Sequence, residues 1–213
     1  MASRKSYNQN CPIAKGLDIL GERWTLLMLG GPRRYSDLRT ELPGIATNLL
    51  AERLKELQDS GLVDRAELPP PIARTVYALS DLGWQRVPPI MGSIAWLGLD
   101  RQDPSNRGPV SQLNGFLAGF VVPFDPLKTA GLNAAYRAEI DGRRFEFSVN
   151  QGHLAAARRE PSVTVTASAA DLLGARLGPT EAKRKAALRR IRFDGDDDAV
   201  DTLRAAFSLS TGH

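Results

Sequence analysis

The segment from Gly44 to Gly61 constrains the fold of this 213-residue chain more strongly than any other. Leu50, Leu54 and Leu57 recur in it at i, i+4 and i+7, the spacing that places apolar side chains along one face of a helix. We therefore predict an amphipathic helix that packs its leucine face on a core and presents the opposite face to solvent or to a partner.

The ends and the outer face of this predicted helix have distinct chemistry. We expect Thr47 to cap the first turn through its hydroxyl group and Gly61 to end the helix in the left-handed conformation. The side chains that project away from the leucines are those of Asn48, Glu52, Lys55 and Asp59, with Ala51 beside them. A short helix whose outer face is small and hydrogen-bonding near its N-terminus suits insertion into the major groove of DNA.

The neighbouring segments supply the rest of a winged helix-turn-helix. Capping and breaker residues predict helices that begin at Pro12, Trp24 and Asp37, and β-strands at Leu62–Leu68 and Arg74–Leu79. Only Pro43 to Ala46 separates the third helix from the Gly44–Gly61 helix, which is the short turn that a helix-turn-helix requires.

Several separated motifs in residues 11–98 resemble those of the HxlR-type regulators, which are relatives of the MarR regulators. The matching segments are Cys11 to Ala14, Leu17 to Leu27, Arg34 to Arg39, Leu42 to Ile45, Leu50 with Arg53 to Leu57, Gly61 to Val63, Tyr77 to Ser80 and Leu82-Gly83. The resemblance implies a homodimeric, DNA-binding transcription factor whose recognition helix is the Gly44–Gly61 helix.

The resemblance also implies a set of DNA contacts. The predicted set is Arg34, Ser36, Thr47, Asn48, Ala51, Glu52, Arg53, Lys55, Arg65 and Arg74. Asn48 is suited to pair with adenine and Glu52 to accept a hydrogen bond from cytosine, whereas the arginines and Lys55 attract phosphates without reading sequence. The alternative for each residue alone is an ordinary charge that faces water.

Ser80 should cap a further helix, and Pro88-Pro89 should kink or break it. Beyond the prolines, an apolar stripe is formed by Ile90, Ile94 and Leu97, joined by Met91 and Trp96. In the HxlR-type regulators the closing helix takes part in the dimer contact, so the resemblance implies a homodimer. Two recognition helices about 34 Å apart would then fit a near-palindromic operator.

Cys11 is a candidate redox switch, because a helix N-terminus favours a thiolate and Lys15 follows one turn later. Some relatives of the family sense oxidants through a cysteine at the matching position. The alternative is a small, partly buried residue without chemistry. It is the only cysteine in the chain, so a disulfide would have to join two subunits or a small thiol.

Composition excludes several classes of protein. The chain has one cysteine and two histidines, so we predict no metal site and no cofactor. It contains no apolar run of membrane-spanning length and its start lacks the pattern of a signal peptide, so we expect a cytoplasmic protein that is not in a membrane. The net charge of +4 permits nucleic-acid binding without demanding it.

The polar, breaker-rich residues 100–111 predict a linker between a DNA-binding and dimerisation domain at 1–99 and a second domain at 112–213. In the second domain we predict a buried segment at Leu113–Phe124, a hairpin around Asp141-Gly142, and strands at His153–Arg158, Val163–Ala167 and Arg190–Phe193. Predicted helices at Ala169–Leu177 and Thr180–Leu188 and a final helix through Val200 and Phe207 complete the list. The expected class is α+β with a mostly antiparallel sheet.

The second domain resembles the sterol carrier protein type-two fold. The matching residues are Asp141-Gly142, Gly152, Pro161 to Val165, Asp171 to Leu173, Gly178-Pro179 and Ile191 to Asp196. The resemblance implies an apolar tunnel for a hydrophobic ligand. Candidate lining residues are Phe116, Phe120, Phe145, Phe147, Val165, Leu172 and Phe207, and the alternative is that all seven fill the core.

The leading functional interpretation is a transcriptional repressor that acts as a dimer and responds to an apolar small molecule. One alternative is a hydrophobic-ligand carrier whose winged helix mainly mediates dimerisation, and another is a regulator that senses redox state through Cys11. No catalytic motif is present, so we predict that the protein is not an enzyme. From the sequence alone, we interpret the basic run from Lys183 to Arg192 as a solvated helix face.

Overall fold

The computed structural model describes residues 32–41, 44–68, 74–99 and 112–210. The chain divides into two compact units, Met1–Gly83 and Trp84–His213, which we call the N-terminal and the C-terminal unit. The predicted helices at Pro12 and Trp24, the candidate switch Cys11 and the predicted linker all lie outside the described residues.

The first described elements follow the order predicted for a winged helix-turn-helix. They are α1 (Tyr35–Glu41), α2 (Thr47–Asp59), β1 (Val63–Glu67), β2 (Thr75–Leu79) and α3 (Asp81–Leu99). Helix α1 begins two residues before the predicted start. The physical reason is that the Asp37 carboxylate accepts a hydrogen bond from the Arg34 peptide N–H at 3.2 Å, which satisfies a backbone donor at the helix start, while Ser36 lies inside the helix.

Helix α2 confirms the leucine stripe, because Leu50, Leu54 and Leu57 are all buried. Gly61 has φ of +70° and ends the helix as predicted. Its N–H donates to the carbonyl of Gln58, and the following N–H of Leu62 donates to the carbonyl of Leu57, which is the Schellman arrangement.

The predicted cap at Thr47 is wrong. Thr47 is already the first helical residue, and the capping position belongs to Ala46, which has an extended backbone and no side chain able to accept a hydrogen bond. The carbonyl of Ala46 accepts the N–H of Leu50 at 3.0 Å and so starts the ladder of helical hydrogen bonds one residue earlier than predicted.

The hairpin has the predicted strands, each shorter by a residue or two. Strands β1 and β2 pair antiparallel, from Val63 opposite Leu79 to Glu67 opposite Thr75. Arg33 adds a single antiparallel bridge to Tyr77, with main-chain bonds of 2.8 and 2.7 Å. This bridge ties the segment before α1 to the hairpin.

Helix α3 begins in the N-terminal unit and continues into the C-terminal unit. Ser80 caps it as predicted, since its hydroxyl accepts the N–H of Gly83 at 3.0 Å. Pro88 and Pro89 lie inside the helix and do not end it, so of the two predicted effects, a kink or a break, the break is wrong. The two prolines remove only two adjacent N–H donors from a helix of 19 residues, and the hydrogen bonds on either side remain.

The C-terminal unit confirms the predicted α+β class. Its elements are α4 (Gln112–Phe116), a π-helical turn (Leu117–Val121), β3 (Asn133–Ile140), β4 (Arg143–Asn150), β5 (His153–Ala156), β6 (Val163–Ala167), α5 (Ala169–Leu177), α6 (Glu181–Leu188), β7 (Arg192–Gly195) and α7 (Asp197–Ala206). The sheet order is β5-β4-β3-β6-β7, and β3 with β6 is its parallel pair. The other neighbouring strands are antiparallel, as predicted.

The hairpin of β3 and β4 forms at the predicted turn. Asp141 and Gly142 have φ of +46° and +78°, the left-handed pair that suits a two-residue connection between twisted strands. The Asp141 carboxylate also accepts the N–H of Ala169 at 2.9 Å, which fixes the turn against the start of α5.

The seven residues predicted to line an apolar tunnel lie in an aromatic and apolar cluster, which favours the alternative that they fill the core. The seven residues Phe116, Phe120, Phe145, Phe147, Val165, Leu172 and Phe207 are all buried. Phe116 stacks on Phe145 with ring centroids 4.6 Å apart, and Phe120 contacts the rings of Phe147 and Phe207 at 5.1 and 5.4 Å. Because these rings contact one another, their apolar surface is occupied by neighbouring side chains.

Candidate nucleic-acid interface

The outer face of α2 is a contiguous polar surface near the start of the helix. Thr47, Asn48, Ala51, Glu52 and Lys55 are all exposed. The Lys55 ammonium group pairs with the Asp59 carboxylate at 2.8 Å, and this hydrogen bond raises the pKa of Lys55. Asn48 and Glu52, by contrast, make no side-chain hydrogen bond or ion pair with the described residues.

Both ends of α2 are fixed through main-chain carbonyls. The phenol of Tyr35 in α1 donates to the carbonyl oxygen of Thr47 at 2.6 Å. At the other end, the hydroxyl group of Ser80 donates to the carbonyl oxygen of Gly61 at 2.5 Å. The orientation of the outer face is therefore set by α1 on one side and by the start of α3 on the other.

Tyr35 is a positioning residue that sequence reasoning missed. Tyr35 and Thr47 are twelve positions apart, and no motif links a tyrosine to a distant carbonyl group. The role of Ser80 was predictable in part, because a serine before an apolar run is a common helix cap, but its second contact to Gly61 was not.

Arg34, a predicted phosphate contact, forms a bidentate pair with Asp37. Its Nε and Nη2 atoms donate to the two carboxylate oxygens at 2.9 and 2.7 Å. The hydrogen bond raises the pKa of Arg34 and lowers that of Asp37. The pair lies at the surface, so the guanidinium group remains accessible, and its net charge toward a phosphate is offset by the carboxylate.

Arg53 lies differently from the expectation. Only 12% of its side chain is exposed, and its guanidinium group pairs with Glu56 one turn later. A phosphate contact by Arg53 would require that pair to separate, so the structure weighs against this member of the predicted set.

Arg65 and Arg74, two further predicted phosphate contacts, are exposed on the hairpin. Arg65 is exposed on β1, and Arg74 is exposed immediately before β2, where its carbonyl accepts the N–H of Leu68 at 2.8 Å. Neither side chain forms an ion pair or a hydrogen bond within the described part of the chain. Both guanidinium groups are therefore available to a partner.

Comparisons with known proteins identify the family. The HxlR-like helix-turn-helix pattern matches residues 19–104. YvaP of Bacillus subtilis, an uncharacterized HTH-type transcriptional regulator, is 37% identical over 105 residues, which are 47% of this chain and 96% of that protein. The chain belongs to the HxlR-like helix-turn-helix family.

Two further comparisons concern another HxlR-like relative. The HTH-type transcriptional regulator YodB of Bacillus subtilis is 35% identical over 81 residues, which are 36% of this chain and 72% of that protein. The solved structure of the reduced form of YodB covers 45% of this chain and 100% of its own, with 29% identity and a TM-score of 0.38. The family match ends at residue 104, so the sterol-carrier-like character of the C-terminal unit stays a prediction.

A second candidate site lies in the C-terminal unit of this HxlR-like protein. It is a cleft of about 590 Å³ between the segment after the π-helical turn and the end of α5, lined in part by Phe124, Lys128, Arg176 and Ser208. A cleft of this volume is within the range of small-molecule sites. None of the seven residues predicted to line a tunnel lines this cleft.

Arg176 in the lining of the cleft connects two segments of the chain by hydrogen bonds to their carbonyl groups. It donates to the carbonyl oxygens of Ala118 at 3.0 Å and Ser208 at 3.0 Å, and also to those of Gly119 and Phe207. These carbonyls belong to the π-helical turn and to the end of α7, where helical partners are missing. Burial lowers the pKa of Arg176 to about 10. The positively charged guanidinium group of Arg176 therefore caps the C-terminal ends of both helical segments.

The described residues contain no group of three or more His, Cys, Asp or Glu side chains arranged to bind a metal ion. Among the helices that the structure describes, none combines the length and apolar character needed to cross a membrane.

Proposed function

We propose that this protein is a DNA-binding transcriptional regulator that inserts α2 into the major groove. The observation that supports this most is the outer face of α2. It leaves Asn48 and Glu52 without partners in the described residues, while hydrogen bonds to the main chain fix both ends of the helix. Membership of the HxlR-like family supports the same proposal.

The proposal divides the interface into two kinds of contact. Asn48 presents an amide that suits the N6 and N7 atoms of adenine, and Glu52 presents an acceptor for the amino group of cytosine. Arg65 and Arg74 contact phosphates beside the groove and supply affinity that is independent of sequence. Arg34 contributes less than a free arginine would, because Asp37 already occupies its guanidinium group.

The experiment that tests this proposal is selection of duplexes from a genomic-fragment pool by the full-length protein, followed by affinity measurements over a salt series. We expect a selected site bound at least about 10³-fold more tightly than random duplex, with affinity that falls as salt rises. A hydrophobic-ligand carrier whose winged helix only mediates dimerisation predicts no site above background, and that result would contradict the proposal.

We also propose that the active form is a homodimer. Ile90 and Ile94 lie one turn apart on α3 and are 38% and 48% exposed, which leaves an apolar helix face without a partner in the described residues. A second copy covering this face would pair two recognition helices for a near-palindromic operator. Sedimentation should show a dimer at micromolar concentration and a shift toward monomer in Ile94→Glu, whereas a monomeric wild-type protein would contradict the proposal.

Our proposal for the direction of regulation is repression modulated by a small molecule, without catalysis. A dimer docked in the major groove of a promoter excludes other proteins from that surface. The cleft around Arg176, rather than the aromatic core, is the place proposed for an effector, because its volume is unfilled by side chains. Native mass spectrometry of the purified protein should show a retained small molecule that lowers operator affinity. A ligand that binds without changing this affinity would contradict the regulatory step.

A further inference from the structure

The positive charge of this protein is concentrated in one short segment of the C-terminal unit. Residues 181–192 contain six cations and a single carboxylate, a net charge of +5, whereas the whole chain has a net charge of +4. The cations are Lys183, Arg184, Lys185, Arg189, Arg190 and Arg192. All other residues together therefore have a net charge of −1, from +4 for the whole chain minus +5 for this segment.

Half of these cations already have partners within the unit. Lys185 pairs with Glu181 at 2.9 Å, and Arg190 pairs with Asp171 at 2.6 Å. Arg184 donates to the carbonyl oxygen of Gly178 at 2.7 Å. The remaining three, Lys183, Arg189 and Arg192, are exposed and form no ion pair with the described residues.

The sheet register extends this charge across one end of the sheet. Arg192 on β7 lies opposite Thr166 on β6, Thr166 lies beside Glu139 on β3, and Glu139 lies opposite Arg144 on β4. Residues that are paired across strands share one face of the sheet, and adjacent strands are about 4.8 Å apart. Arg192 therefore lies beside the exposed Thr166, and Arg144 lies about 14 Å from Arg192, with Glu139 between Arg144 and Thr166. We call Arg144, Thr166, Arg189 and Arg192 the basic edge.

Helix stabilisation does not account for this arrangement. A cation at the C-terminal end of α6, such as Arg189, is favourable to the helix dipole. Lys183 lies in the first turn of the same helix, where a cation is unfavourable, and Arg144 and Arg192 lie in strands. Arg144 is 61% exposed and its contact with Glu139 is long, at 3.5 Å.

The acidic residues nearby offset only part of the charge of the basic edge. Asp196, Asp197 and Asp198 lie beyond the other end of β7, where Asp196 caps α7 and the carboxylates favour the helix dipole. The four residues of β7 separate them from Arg192 by about 13 Å, which exceeds the Debye length of about 8 Å at physiological ionic strength. Asp194 is closer, on the same strand and the same face as Arg192, and Glu139 lies beside Arg144. The three arginines of the basic edge and these two carboxylates together have a net charge of +1 (three minus two).

We propose that the basic edge contacts the phosphates of the DNA that flanks the winged-helix site. Arginine side chains and a threonine hydroxyl are common donors to phosphate oxygens, and contacts of this kind do not read sequence. This inference rests on the proposed function, because binding through α2 raises the effective concentration of the same duplex near the C-terminal unit. The second contact would increase the length of duplex that the protein covers, and it would make the affinity depend more steeply on salt.

The experiment uses the full-length double variant Arg189→Gln/Arg192→Gln, with Arg158→Gln/Arg159→Gln as the matched control. The control removes the same charge from the exposed loop before β6, at the opposite end of the sheet. Affinity for a long duplex and for a short duplex of about 20 base pairs, enough for two adjacent major-groove sites, is measured over a salt series. Each lost phosphate contact lowers the slope of log affinity against log salt by about 0.9.

On the long duplex we expect the basic-edge variant to lower the slope by about two and weaken affinity several-fold, while the control matches wild type. On the short duplex all three proteins should behave alike. A basic-edge variant that matches wild type on the long duplex would overturn the inference, as would a control that loses the same slope. If wild type itself shows no salt-dependent binding, the proposed function fails instead.

Discussion

The two units use their polar surfaces in different ways. On the exposed face of the sheet in the C-terminal unit, the charges of the central strands pair with each other, Arg137 with Glu146 at 2.8 Å and Arg144 with Glu139 at 3.5 Å, whereas Arg192 on the edge strand β7 forms no ion pair with the described residues. On the outer face of α2 in the N-terminal unit, Asn48 and Glu52 have no partner within the described residues. A polar surface whose side chains have no hydrogen-bond or ion-pair partner within the chain is the better candidate for recognition of another molecule.

The units also differ in how they are held together. The C-terminal unit is built around an aromatic cluster, whereas α2 in the N-terminal unit relies on a leucine stripe and on single hydrogen bonds to Thr47 and Gly61. Substitutions in the aromatic cluster should therefore act on stability, and substitutions on the outer face of α2 should act on DNA binding.

The largest expected effect is that of Phe120→Ala. Phe120 is fully buried and contacts the rings of Phe116, Phe147 and Phe207. Its truncation leaves a cavity, so we expect the free energy of unfolding to fall by about 3–5 kcal/mol. Urea denaturation measures this loss, and we expect the free energy of unfolding of Phe120→Leu to lie between those of Phe120→Ala and wild type. The matched surface substitution Glu52→Ala should change stability by less than about 0.5 kcal/mol. Equal effects of Phe120→Ala and Glu52→Ala on stability would contradict the difference proposed between the aromatic cluster and the outer face of α2.

Local patterns were sufficient to predict much of this architecture. The leucines of α2, the left-handed Gly61 and the Asp141-Gly142 turn each depend on residues close in sequence, and all three are confirmed. Helix α5 has the predicted ends, because a serine cap and a following glycine mark them.

Contacts between distant residues could not be predicted in the same way. The Tyr35 bond to Thr47 and the Arg176 bonds to four carbonyl groups join segments that no sequence pattern relates. The sequence left two alternatives for the aromatic residues, a tunnel lining and a packed core, because apolar character does not distinguish a core residue from a cavity wall. At Pro88-Pro89 the local rule predicted a kink or a break, and the helix continues through both prolines.

A smaller effect is expected for Tyr35→Phe. The variant loses the hydrogen bond to the Thr47 carbonyl, so the start of α2 is less firmly oriented and stability should fall by about 0.5–1 kcal/mol. We expect weaker operator binding in fluorescence anisotropy. The control is Tyr77→Phe, since the phenol of Tyr77 makes no hydrogen bond with the described residues. If Tyr77→Phe weakens binding as much as Tyr35→Phe, the positioning role is wrong.

The smallest effect, and of opposite sign, is expected for Tyr136→Phe. The Tyr136 hydroxyl is buried without a hydrogen-bond partner among the described residues, and burial raises the pKa of Tyr136 to about 12. Removing an unsatisfied buried hydroxyl should leave stability unchanged or raise it by up to about 1 kcal/mol. A clear loss of stability in thermal unfolding would show that the hydroxyl has a partner.

The central claim, that α2 reads sequence while the wing supplies general affinity, is tested most directly by comparing Asn48→Ala with Arg74→Ala. Both variants are titrated against a panel of operator duplexes that differ by single base pairs. We predict that Asn48→Ala relaxes discrimination at one position, worth about 1–3 kcal/mol there, and changes the order of preference. Arg74→Ala should weaken every duplex equally and lower the salt slope by about one. Identical behaviour of the two variants across the panel would contradict the account.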